Sequence, residues 1–394
     1  MSKVGMVFEG GGARGAYHIG VYKAYLENGY KFDGFVGTSV GAINAAALAS
    51  NEFEAVLGLW GNISKAQIFD DDLATVLEWE NARNREAYGE KIKSTVSKVI
   101  VDKGIDTGKM RKFIANYISE DAVRKSGLDV GLVTYSLTDK MPLELFISDI
   151  PPGLLIDYLM ASSNLPGFKA QVIDDKKFLD GYVYDNLPIN MLLNNGYDEI
   201  IAVRTKSFGK IRDYDKSANV KIVAPLDELA GTLAFSPENS YKDIRLGYFD
   251  GLKSIHNLSG RLFYIKDVDL KKVVSNLFHL THEDFENVKA FNSMKNYPAN
   301  RLLFEHAIPE LAIDLKLDPE YTYEEFLLAT IEFHADVNGI TRYRVYDFKE
   351  FLGILSTISC QTALTRQTDE EIALKEKEKF RHQLVNIIIE QVLE

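Results

Sequence analysis

The chain has 394 residues, of which 46% are apolar, 11% aromatic and 26% charged, which excludes a mainly disordered protein and leaves room for one large domain or two. A net charge of −12, from 45 Lys and Arg against 57 Asp and Glu, argues against a nucleic-acid partner and against strong overall attraction to anionic lipid, though not against a local basic patch. The one cysteine, Cys360, excludes an internal disulfide and a cysteine-based zinc site; with no adjacent base or glycine turn it reads as a buried bystander.

The N-terminus meets glycine after a few apolar residues, too soon for a signal-peptide core. No apolar run approaches the roughly 18 residues that span a bilayer, so a cytoplasmic location is expected. Val4 to Phe8 reads as a buried strand entering the loop Glu9-Gly-Gly-Gly12. Arg14 to Asn28 lacks proline and repeats apolar residues at Ile19, Tyr22 and Leu26, the spacing of a helix, with Gly29 at its C-terminal stop. Phe32 to Val36 is a second strand, followed by Gly37-Thr-Ser-Val-Gly41 and an alanine-rich helix. Strand, helix, strand, helix within fifty residues implies parallel pairing.

Residues 51–125 read as mostly helical, and the run Asp70-Asp71-Asp72 fits a helix N-terminus better than a cation site. Further strands are expected at Val130 to Tyr135, Leu143 to Ile147, Phe178 to Leu179, Glu199 to Val203 and Val220 to Val223, with a last one at Phe263 to Ile265. Beyond about residue 268 the pattern turns to long helices, such as Arg301 to Leu317 and Asp369 to Leu393. The expected division is therefore a region 1–268 and a mostly helical region 269–394.

Gly37-x-Ser39-x-Gly41 is a weak motif alone, but here it joins a strand to a helix, the turn that projects a serine hydroxyl free of a sheet. The helix after Ser39 points its positive end at that hydroxyl. Gly10, Gly11 and Gly12 can turn successive N–H groups toward one oxyanion, and Arg14 adds a cation nearby. A phosphate-binding loop is the competing reading. No Gly-Lys-Ser/Thr follows, however, and the formal Gly10-x-Gly12-x-x-Gly15 spacing lacks an acidic residue at the end of the second strand. None of the seven histidines sits in a motif, and Ser39 comes too early for a Ser-His-Asp layout of the α/β-hydrolase kind. A carboxylate at a strand end before glycine could serve as base directly, and Asp180-Gly181 is such a place.

Glu9-Gly-Gly-Gly-Ala-Arg-Gly-Ala16, Gly37-Thr-Ser-Val-Gly-Ala42, Ala161-Ser-Ser-Asn-Leu-Pro-Gly-Phe168 and Leu179-Asp-Gly181 with Asn186-Leu-Pro188 together resemble the patatin-like phospholipases, over roughly residues 4–205 and more loosely through Leu229 to Ile255. The resemblance implies a three-layer α/β/α fold with a mainly parallel central sheet. It implies a dyad without histidine: Ser39 as nucleophile, Asp180 as base, Gly37 and Gly41 as the elbow, and Gly10, Gly11, Gly12 and Arg14 as oxyanion stabilisers. The implied reaction is hydrolysis of a fatty-acyl ester through an acyl-enzyme. Phospholipid, lysophospholipid or another acyl ester would be the substrate, with no cofactor, no metal and no nucleic acid, and with contact to membranes peripheral at most. Two residues depart from the family pattern. Tyr182 stands where Gly or Ala is usual, and Glu9 would oppose an oxyanion if its carboxylate faced one. A non-catalytic lipid-binding or regulatory protein on the same fold, and a conventional Ser-His-Asp esterase, are the alternatives.

Overall fold

The computed structural model describes residues 2–69, 104–281, 283 and 297–357, together with 385, 387–389 and 392. The acidic run at 70–72, Cys360, His282, His382 and most of the last expected helix lie outside the described residues. Two compact units are present, Met1–Ile255 and His256–Glu394. Residues 256–268, which the sequence reading grouped with the first region, cluster with the second unit.

The first unit is built on an eight-stranded sheet. Its strands are β1 (Val4–Phe8), β2 (Gly34–Thr38), β3 (Asp129–Ser136), β4 (Met141–Phe146), β5 (Gln171–Ile173), β6 (Lys176–Asp180), β7 (Glu199–Val203) and β8 (Val220–Val223). The order is β5-β6-β3-β2-β1-β7-β8, with β4 also paired to β3. The block β3-β2-β1-β7-β8 is parallel, while β4, β5 and β6 join antiparallel. This is the mainly parallel α/β sheet expected. Strands such as β1 and β2 are near-continuous apolar runs because both of their faces are covered. On one face Val7, Val36, Ile200 and Ala202 pack with Met191 and Leu192 of the helix Ile189–Asn194. On the other, Phe8 meets His18 and Phe35 meets Tyr22, both from α1 (Ala16–Glu27).

The pairing of β3 decides what comes together at its middle. Its first five residues pair in parallel with β2, ending at Thr38 opposite Val133. Its last three pair antiparallel with β6, starting at Asp180 opposite Thr134. Two strands running in opposite directions thus end at adjacent positions of one neighbour, and the chain ends that follow them, Ser39 and Asp180, converge.

The expected helix beginning at Arg14 is shorter at its start. A 3-10 turn, Gly12–Gly15, precedes α1, and Gly12 has φ 58, which an α-helix does not accept. The alanine-rich helix is α2 (Val40–Ser50), followed by α3 (Phe53–Asn62).

The second unit is mainly helical around Phe263, Ile265, Phe326, Tyr346 and Phe351, with Ile388 also in this core. Phe263 to Ile265 is not the last strand. β9 (Tyr264–Lys266) pairs in parallel with β10 (Val345–Asp347), three residues too short to show an alternating pattern in sequence.

Candidate active site

Ser39 is the only residue between β2 and α2, with φ 57 and ψ −127. Such a conformation costs a non-glycine residue about 1–3 kcal/mol and persists only where neighbours enforce it. The enforcing bonds are visible. The Ser39 N–H donates to Ser162 Oγ at 2.9 Å, and the Ser162 hydroxyl donates to the Val133 carbonyl at 2.7 Å. The Ser39 carbonyl accepts from the Ala42 and Ile43 N–H groups. The turn also needs bare backbone on both sides. A Cβ on Gly37 would stand 2.3 Å from the Gly41 carbonyl carbon, and one on Gly41 would stand 2.2 Å from the Phe8 carbonyl oxygen.

Asp180 is fully buried. Its Oδ1 accepts from the Tyr182 N–H at 2.9 Å, whereas Oδ2 has no hydrogen-bond partner. Burial pushes the carboxyl up to about 7, against the Tyr182 N–H and the Ser39 hydroxyl, which both favour the charged form. The Ser39 hydroxyl and the Asp180 carboxylate line one cavity, and no well-aligned hydrogen bond joins Ser39 to Oδ2. Loose alignment of this kind is common before substrate binds.

The glycine loop divides into two pairs of roles. Gly11 and Gly12 line the same cavity as Ser39 and Asp180, and no acceptor among the described residues takes their N–H groups. Gly10 and Arg14 do not line it. The Gly10 N–H donates to the Asn186 carbonyl at 3.1 Å, and the Arg14 guanidinium donates to the carbonyls of Ala230 at 2.9 Å and Lys206 at 3.2 Å. Glu9 is buried and faces the 204–206 segment. Its Oε2 accepts from the N–H groups of Thr205 at 2.7 Å and Lys206 at 3.1 Å and pairs with Arg204. Burial raises its carboxyl above the ordinary range, with Arg204 and these N–H groups pulling the other way.

The cavity has a volume of about 260 Å³. Its polar end holds Ser39, Asp180, Gly11, Gly12, Ser163 and Asn186; away from it the walls are apolar, with Ile43, Leu59, Phe113, Ile114, Leu165 and Phe235 among them. Three buried polar atoms of its lining residues lack partners: Asp180 Oδ2, Ser163 Oγ and Asn186 Oδ1. Unpaired buried groups are costly, so an otherwise apolar cavity that keeps three of them is suited to a molecule with one polar group. The Tyr182 side chain also lines the cavity, its ring 6.0 Å from that of Phe208.

Among the described residues no histidine lines the cavity. His18 is buried, with Nδ1 3.1 Å from Asn44 Nδ2, and burial lowers its pKa to about 3, so it is neutral. Asn44 also donates to the Gly15 carbonyl at 2.9 Å and accepts from the Trp60 indole N–H at 3.0 Å. Among the described residues there is also no group of three or more His, Cys, Asp or Glu placed to hold a metal ion.

Two positioning side chains escaped the sequence reading. Asn44 is a polar residue inside an alanine-rich helix, and that contrast was its signal. Ser162 lies in the small-residue segment, where two adjacent serines give no way to choose the one that faces Ser39.

Residues 6–193 match the model of the family described as patatin-like phospholipase. The chain is 26% identical over 268 residues to Lysophospholipase NTE1 of Mycosarcoma maydis, covering 67% of this chain and 12% of that protein. It is 25% identical over 208 residues to patatin-like phospholipase domain-containing protein 7 of Rattus norvegicus, covering 51% of this chain and 13% of that one. A 46-residue segment is 54% identical to an NTE family protein of Mycobacterium bovis, covering 12% of this chain and 8% of that protein. The chain thus matches only a small part of each of these relatives. Among solved structures, VipD from Legionella pneumophila aligns with 100% of this chain and 92% of its own, at 14% identity and a TM-score of 0.41. The match to the patatin-like phospholipase model therefore spans residues 6–193, the stretch that holds both Ser39 and Asp180.

Proposed function

We propose that the chain is a lipid acyl hydrolase of the phospholipase A or lysophospholipase kind, acting through Ser39 and Asp180. The observation that carries this reading is a serine held at φ 57 beside a buried carboxylate with one unpartnered oxygen, at the polar end of an apolar cavity. Asp180 takes the Ser39 proton as Oγ attacks the acyl carbonyl carbon. A carboxyl near 7 is a stronger base than an ordinary aspartate and is still largely ionised above neutrality. The oxyanion forms opposite the Gly11 and Gly12 N–H groups, which have no acceptor of their own to give up. Gly10 and Arg14 support this loop by binding backbone carbonyls behind it. The C–O bond breaks, and the leaving alcohol collects the proton from Asp180. Water then attacks the acyl-enzyme with Asp180 again as base, which releases the fatty acid and restores Ser39. The cavity walls take the acyl chain, and Tyr182 shapes the entrance beside the reacting bond.

The test is Ser39→Ala. Alanine fits the turn in volume but cannot form the acyl-enzyme, so hydrolysis of a fatty-acyl ester and labelling by a fluorophosphonate should both vanish, the rate falling by several orders of magnitude. Near-normal turnover by folded Ser39→Ala protein would refute the assignment.

A further inference from the structure

The segment between β7 and β8 is basic in an acidic chain. From 204 to 216 it carries Arg204, Lys206, Lys210, Arg212 and Lys216 against Asp213 and Asp215. Arg204 is paired with Glu9, Arg212 with Glu144, and Lys216 lies 3.7 Å over the Tyr214 ring. Lys206 and Lys210 are exposed and form no ion pair with a described residue. Between them Phe208 is 89% exposed, the most open of the large apolar side chains among the described residues. It also lines the cavity that holds Ser39. The segment is anchored on both sides of Phe208. The Lys206 N–H donates to Glu9, the Lys210 N–H donates to the Tyr182 carbonyl at 2.9 Å, and the Lys210 carbonyl accepts from the Asn186 N–H at 2.6 Å.

A phenylalanine left in water at a cavity mouth, between two unpaired lysines, has the chemistry of a lipid interface: a ring for the acyl boundary and ammonium groups for phosphates. We propose that residues 206–210 dock this chain on an anionic bilayer, with Phe208 entering the acyl boundary and Lys206 and Lys210 binding headgroup phosphates. The inference rests on the reading of the cavity as an acyl site and adds the surface from which substrate is drawn. The net charge of −12 opposes such docking at long range, so attraction must come from this segment and must weaken with salt.

The test is co-sedimentation of the full chain with phosphatidylcholine vesicles, with and without phosphatidylglycerol. Binding is expected to require phosphatidylglycerol and to fall as salt rises. Lys206→Gln/Lys210→Gln should weaken it on the order of 30-fold, the product of two basic residues at an anionic surface. Phe208→Ser should weaken it as well. Equal binding to both vesicle types, no binding of the unaltered chain, or unchanged binding by the lysine double variant would each overturn the proposal. Fluorophosphonate labelling without lipid separates the two readings. The lysine double variant should label like the unaltered chain, showing that it is folded. Absence of label in the unaltered chain would remove the hydrolase reading and leave the vesicle result standing.

Discussion

Asp180→Asn should make the protein more stable at neutral pH while abolishing its turnover. The carboxyl is fully buried, and its pKa stands at about 7 against an ordinary 3.8. A group whose pKa is raised on folding holds its proton more tightly in the native state. Its favourable contribution is complete below 3.8 and is lost as pH rises to about 7. At about 1.36 kcal/mol for each pH unit, that interval corresponds to roughly 4 kcal/mol of stability given up by pH 8. Asparagine keeps the acceptor for the Tyr182 N–H and carries no charge to desolvate. Its NH2 group would stand where Oδ2 now lacks a partner, so the gain is smaller than the full figure but keeps its sign. The assay is thermal unfolding of both proteins at pH 8 and near pH 4, beside hydrolysis of a soluble acyl ester. Asp180→Asn should melt several degrees higher at pH 8, with the advantage shrinking toward pH 4, and its rate should fall about as far as that of Ser39→Ala. A lower melting temperature at pH 8, or an equal difference at both pH values, would refute the electrostatic account. Retained turnover would refute the role of Asp180 as base.

Three further outcomes follow from the same site. The rate of the unaltered protein on a soluble ester should rise along an acid limb with its midpoint near 7 and be about a hundredfold below the plateau at pH 5. Asp185, whose pKa burial also raises to about 7, lies outside the cavity, so Asp185→Asn should leave that limb in place; its disappearance in this variant would reassign the titration. Hydrolysis should persist in excess EDTA, since the dyad needs no Lewis acid; loss that calcium restores would point to a metal requirement and to the acidic run at 70–72.

The sequence pattern was most informative where local chemistry is demanding. The strand–Gly-x-Ser-x-Gly–helix order is legible because only glycine tolerates the approaches at 37 and 41, and the apolar runs of β1 and β2 are legible because both faces are covered. The convergence of Ser39 and Asp180 was not legible from spacing, because 141 positions separate them and their meeting depends on β3 handing its pairing from β2 to β6. The strand end before glycine made Asp180 a candidate base, and the resemblance to a family paired it with Ser39. β5 and β10 were missed for a simpler reason: each has three residues, too few for alternation to be read, and neither is an uninterrupted apolar run like Phe263 to Ile265. The cavity walls contributed by the helix Gly108–Tyr117 were equally hidden, since nothing in an amphipathic helix says which apolar partner it faces.

Glu9 shows how a residue that looks adverse in sequence becomes part of the support. A carboxylate just before the glycine loop would repel an oxyanion if it faced one. Instead it is buried against Arg204, Thr205 and Lys206, and two backbone N–H groups hold its Oε2. The held segment reaches back to the loop. The Thr205 hydroxyl donates to the Gly10 carbonyl at 2.6 Å, and Arg14 donates to the Lys206 carbonyl. The Gly10 N–H is taken by Asn186, and the Ala13 N–H by Thr232. The residues on either side of Gly11 and Gly12 are therefore fixed by hydrogen bonds, while the two amides between them stay without acceptors. In the proposed mechanism Glu9, Gly10 and Arg14 would therefore act on the oxyanion only through the loop they hold in place. The same ties position Lys206 at one side of Phe208, so the glycine loop and the segment proposed to dock on lipid are both tied to the buried Glu9 carboxylate.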